Sequence, residues 1–146
     1  MKETQGTIYF YNKFSDLIKG AFEKRRYYEE FKDLPGMVER IAEAKESGIW
    51  GLCLPGSKEI HILDRTLKDH TDTLVNVAHE LGHLHYQRKF KQARPEEGLV
   101  EDIGRITGDA YLIMMAYGGN VSIGNYNEDI NVPTHDGLGY IVRVVR

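Results

Sequence analysis

Apolar positions along the 146 residues recur with two different periods. Thr7 to Tyr11 is β-branched and aromatic, which is strand chemistry. After Ser15-Asp16, Leu17, Ala21, Phe22 and Tyr28 recur at helical spacing. Pro35-Gly36 breaks that pattern, and Val38, Ile41, Ala42 and Lys45 resume it as a second helix capped by Gly48. Ile49 to Leu54 is a short apolar run that reads as a strand. Pro55-Gly56-Ser57-Lys58 is turn chemistry, and Glu59 to Asp64 reads as the returning strand of a hairpin.

The strongest helical pattern spans about Asp69 to Phe90. Pro and acids at Arg94-Pro95-Glu96-Glu97 open another helix, expected to run to about Tyr117 and stop at Gly118-Gly119. Asn120 to Asn131, rich in Asn and Gly, reads as loop. Leu138 to Arg146 fits a strand by its β-branched residues and a helix by the spacing of Leu138, Ile141, Val142 and Val145, so both remain open. No repeat interrupts the chain, and 1–146 suits one domain with one core.

Composition narrows the classes of function. The net charge of −3 gives no reason to expect nucleic acid. Lys24-Arg25-Arg26 is bracketed by Glu23 and Glu29-Glu30, as on a solvated helix face. Neither a secretory leader nor a membrane-spanning run is visible, the longest apolar stretch being Tyr111 to Tyr117. A single cysteine, Cys53, rules out an internal disulfide. A protein without nucleic-acid or membrane partners is therefore expected, cytoplasmic by default with export by a dedicated route left open, as is its oligomeric state.

The chemistry lies in His79-Glu80-Leu81-Gly82-His83. Histidines at i and i+4 project from one helix face a turn apart, where both can ligate one Zn²⁺. Glu80, about 100° around the helix, stands where a general base must be. In a chain of this composition about 0.02 such triplets arise by chance. Leu74, Val77, Leu81 and Leu84 form an apolar stripe opposite His79, while Gly82 shares the His face. A helical glycine costs about 0.8–1 kcal/mol relative to alanine, so Gly82 predicts a close approach by another element. A closed structural site would need four protein ligands, commonly sulfur-rich. With one cysteine, an open, water-bearing site is the better reading.

A catalytic zinc site needs a third protein donor. The following helix offers Glu97, Glu101 and Asp102. Glu101 shares a face with Gly104 and Gly108, with Leu112 a turn further on, while Leu99, Ile103, Ile106, Ala110 and Ile113 line the other side. The two glycines predict a groove that meets Gly82 and aims Glu101 at the metal. Glu97 and Asp102 are alternatives, and His61, His85, His135, Asp136 and Cys53 complete the set of donors. Glu97 also suits a helix N-terminus.

Residues Glu59 to about Met115 resemble the gluzincin branch of the zincin-like peptidases, especially small ImmA/IrrE-type proteins and minimal single-domain gluzincins. The likeness rests on the strand Ile60-His61-Ile62-Leu63, on Val77-Ala78-His79-Glu80-Leu81-Gly82-His83, and on a following helix bearing Glu101-x-x-Gly104. It implies an α+β, single-domain zincin-like fold, with a small sheet packed on an active-site helix and a glutamate-bearing helix after it. It also implies a zinc endopeptidase acting on a protein or peptide, with His79, His83 and Glu101 on the metal and Glu80 activating water. Many members carry alanine where this chain has Gly104. No helix-turn-helix accompanies the match, and Lys89 occupies the place of a metzincin's third histidine.

Secondary expectations follow. Tyr86, Tyr111 or His135 would stabilise the oxyanion, although an ordinary packed aromatic or a surface histidine also explains each. Glu59 to Leu63 would hold the substrate as an extended strand. His85 lies off the metal face, solvent-exposed or capping. Asn125 to His135 is long and polar enough to cover the cleft. Two other readings stand beside the endopeptidase: a non-catalytic zinc-binding interaction module, and a deformylase-like zinc amidase. The amidase reading is suggested by Gly51-Leu52-Cys53-Leu54, though Cys53 also suits a small buried hydrophobe.

Overall fold

The computed structural model describes residues 4–23, 39, 49–54, 58–64, 71–89, 99–135 and 137–146. Strand β1 (Gly6–Tyr11) leads into a short helix α1 (Phe14–Leu17) that continues as a π-helical turn over Ile18–Glu23. Strands β2 (Ile49–Leu54) and β3 (Glu59–Asp64) precede the long helices α2 (Thr71–Lys89) and α3 (Leu99–Ser122). Strands β4 (Ile130–Val132) and β5 (Tyr140–Val145) complete an α+β architecture. The expected helix around Val38 to Gly48 and the basic cluster Lys24-Arg25-Arg26 fall outside the described residues, apart from Glu39, which is helical.

The five strands form one mixed sheet in the order β2-β3-β1-β5-β4. β2 and β3 make the expected antiparallel hairpin, with Gly51 opposite Ile62. β1 lies between β3 and β5, parallel to both. Parallel strands are covered on both faces, which accounts for the aromatic and β-branched run in β1. The C-terminal ambiguity resolves as strand, because Val142 and Val144 pair beside Ile8 and Phe10 and share their face.

One face carries Ile8, Phe10, Ile60, Ile62, Val132, Val142 and Val144 against Val77, Leu81 and Leu84 of α2 and Ala110, Ile113, Met114 and Tyr117 of α3. Fully burying one such side chain contributes about 1.5–3 kcal/mol. Phe10 stacks on Tyr117 with ring centroids 4.2 Å apart, and the Tyr117 hydroxyl donates to Asp64 Oδ2 at 3.2 Å. Burial and the adjacent Asp64 carboxylate push the Tyr117 phenol upward, so it stays a donor. On the opposite face, α1 and its π turn cover β1 with Leu17 and Ala21. Any side chain at Gly20 would run into the Tyr11 hydroxyl.

Three expectations need correction. Helix α3 does not stop at Gly118-Gly119 but continues to Ser122, because Asn120 is buried and Val121 packs on the core. Ile103, expected on the buried side, is exposed; the buried stripe runs through Ala110, Ile113, Met114 and Tyr117. Strand β3 is interior, hydrogen-bonded to β2 on one side and β1 on the other, and so has no edge to offer a substrate. Among the described residues, no helix is long and apolar enough to cross a membrane.

Candidate metal centre

Helix α2 buries Thr73, Val77, Glu80, Leu81 and Leu84, and this stripe sets its rotation on the sheet. The expected apolar face is therefore the observed one, with Leu74 half-buried at its margin. The same rotation turns His79 and His83 outward, both exposed. Their Nε2 atoms approach to 2.9 Å with the rings at 88°. Two imidazoles meeting at this separation share either a proton or a cation. A tetrahedral zinc with bonds of about 2.0–2.1 Å would space its two nitrogens by roughly 3.3 Å. Small side-chain rotations span that difference, so the pair fits the ion.

Glu80 follows His79 on the flank between the metal face and the core, and is 4% exposed. Strand β2 packs against α2 on this side. A Cβ at Gly51 would run into the Asn76 side-chain amide, so a larger residue there would have to displace Asn76. Asn76 precedes His79 by three residues and Glu80 by four, which places β2 beside the motif. On the other side, a cleft of about 450 Å³ opens between the long helices, lined by Val75, Ala78, His79, Gly82 and His83 and by Ile103, Ile106 and Thr107 of α3. The histidine pair stands between the β2 side and α3.

The glycine groove expected to bring Glu101 to the metal is not formed. A Cβ at Gly82, Gly104 or Gly108 would meet nothing within 4 Å among the described residues. Gly82 lines the open cleft, while Gly104, Gly108 and Leu112 face solvent. The reason is helix phase. α3 lines the cleft with Ile103, Ile106 and Thr107, and in a regular helix position 101 is about 200° from position 103, whereas position 102 is about 100° from it. Glu97 and the side chains of Glu101, Asp102, Tyr86 and Cys53 lie outside the described residues. Among those described, no group of three or more His, Cys, Asp or Glu side chains is arranged to hold a metal.

The remaining named residues are dispersed. Tyr111 is exposed on α3 and does not line the cleft. His135 is held elsewhere, its ring Nδ1 2.7 Å from Asp109 Oδ2 and its backbone N–H donating to Asp109 Oδ1 at 3.2 Å. His61 is fully buried behind the sheet, its Nδ1 2.7 Å from the Tyr11 hydroxyl and its ring stacked on Tyr9. It is not placed to serve as a donor beside His79. His85 is half-buried rather than solvent-exposed. The expected cover also fails: no described residue from Asn125 to His135 lines the cleft, and the Asn127 backbone N–H bonds instead to the Val144 carbonyl. Asp136 lies outside the described residues.

The cleft walls Val75 and Ala78 were legible in principle, since Val75 precedes His79 by four residues. The Gly51–Asn76 contact joins distant segments and has no local signal. No family model matches the chain, nor does any curated protein or solved structure.

Proposed function

We propose that this chain is a zinc-dependent endopeptidase with a zincin-like fold of the gluzincin kind. The observation that carries the reading is the convergence of His79 and His83 Nε2 on an exposed helix face, with the Glu80 carboxylate borne by the next residue. His79 and His83 would hold the zinc. When bound, the ion supplies Lewis acidity toward the scissile carbonyl and lowers the pKa of a water.

Glu80 accepts a proton from the attacking water on a carboxylate oxygen. It returns that proton to the amine nitrogen as the peptide C–N bond breaks. The third donor is a carboxylate from positions 97–102. By helix phase alone, position 102 lies about 100° and position 101 about 200° from position 103, which keeps Asp102 beside Glu101 as a candidate donor. Zinc affinities of Asp102→Ala, Glu101→Ala and Glu97→Ala rank the three.

Strand β2 replaces β3 as the substrate strand. It ends the sheet, its outer edge is unpaired among the described residues, and it packs beside Asn76 on the Glu80 side. An extended peptide adds to such an edge through main-chain hydrogen bonds.

The test is hydrolysis of a proteome-derived peptide library, read as new N-termini, by zinc-loaded wild type and Glu80→Gln. The variant keeps its zinc and loses about 10²–10⁴-fold in rate. Equal cleavage by the two would rule out the peptidase mechanism and leave a zinc-binding interaction module.

A further inference from the structure

We infer that the outward face of α3 is the interface of an antiparallel dimer of this chain. The zinc reading does not enter this argument. Tyr111, Leu112 and Met115 are 58%, 42% and 71% exposed, on the side of α3 away from the sheet. They are flanked by Gly104 and Gly108 on one side and Gly119 on the other, where an added Cβ would meet nothing within 4 Å among the described residues. From Ala110 to Asn127 the sequence has no charged residue. An apolar face of this extent marks a contact surface. Among the described residues no helix is long and apolar enough to cross a membrane.

The order of residues identifies the occupant. Positions 104 and 119, 108 and 115, and 111 and 112 share one midpoint. A two-fold axis there, perpendicular to two antiparallel helices, sets Met115 of one copy on Gly108 of the other. It also sets Gly104 opposite Gly119. Tyr111 then meets its own copy beside the axis, and Leu112 does the same. The most exposed apolar side chain of the stripe thus finds a notch of the right size, twice, and the glycines let the helices close. A face that fits its own reverse is what an isologous interface requires. The cleft lies on the other side of α3 and stays open in the dimer.

The area sets the strength. A helix of 24 residues is about 36 Å long and about 10 Å across. The pair therefore buries on the order of 500 Å² per copy, the weak end of specific interfaces. A reversible, concentration-dependent dimer is expected.

Sedimentation of the full chain between about 1 and about 300 µM brackets the affinity of so small an interface. The mass should climb from 16.7 kDa toward twice that value. Met115→Glu and Gly108→Trp should each hold it at the monomer value, with an unchanged circular dichroism spectrum because both positions face solvent. In a Cys53→Ser background, Leu112→Cys should oxidise to a covalent dimer and Ile103→Cys should not. A wild type that stays monomeric throughout would assign this face to a different partner and overturn the proposal. A dimer that survives both Met115→Glu and Gly108→Trp, or one cross-linked through position 103 in preference to 112, would overturn it equally.

Discussion

Helices α2 and α3 lie on the same face of the sheet and bury stripes of similar chemistry, yet their outward faces are opposites. α2 turns Asp72, His79 and His83 to solvent, whereas α3 turns Tyr111, Leu112 and Met115 outward. Packing explains the inner faces of both and neither outer one. On α2 the exposed His79 and His83 converge at a single point beside the exposed Val75, as a metal site on the rim of an apolar cleft requires. On α3 the outer residues are apolar and form a line, as a partner helix requires. What the core leaves unexplained is where function is to be sought.

The comparison can be broken first within α3. Ile113→Ala should lower unfolding stability by about 2–5 kcal/mol in urea denaturation, while Met115→Ala, measured on the monomer, should fall within about 0.5 kcal/mol of wild type. Similar losses at both sites would mean that α3 packs with another face.

Next comes Tyr117→Phe, which deprives the fully buried Asp64 of a donor and should cost about 1–3 kcal/mol. Its pH dependence has a definite sign. The folded-state pKa of Tyr117 is raised above the ordinary 10.0, so its contribution is complete below about pH 10. At higher pH the unfolded chain ionises first and the contribution is lost. Wild type should therefore lose more stability than Tyr117→Phe on the alkaline side.

The smallest effect sharpens the contrast from the side of α2. Gly82→Ala adds a methyl group that meets nothing within 4 Å among the described residues, and should stabilise the helix by about 0.8–1 kcal/mol. A destabilised Gly82→Ala would restore the close approach that the sequence suggested and that the described residues do not make.

How much was legible follows the range of the interactions. The rotation of α2 could be read because Val77, Leu81 and Leu84 form one stripe and the remaining positions are mostly polar. The hairpin from Ile49 to Asp64 was visible because its turn is local. The rotation of α3 was hidden, since apolar residues surround it: Ile103, Ile106, Leu112 and Met115 offer stripes as good as Ile113 and Tyr117. Only contact with Phe10 and the rest of the sheet selects among them. The interior position of β3 was equally hidden, because it depends on β1, about fifty residues earlier, lying beside it. At the candidate metal centre, the meeting of His79 and His83 on one helix face was evident from spacing. A third donor was not, because the proposed choice among Glu97, Glu101 and Asp102 rests on the phase of α3.

The most direct test of the central claim is a zinc competition titration of the wild type against His79→Ala and His83→Ala. The account predicts one tightly held zinc per wild-type chain and a loss of affinity of 100-fold or more in each variant, at least the roughly 10–100-fold typical of losing a mere outer-shell partner. Wild-type protein that binds no zinc, or variants that bind it as tightly as wild type does, would contradict it.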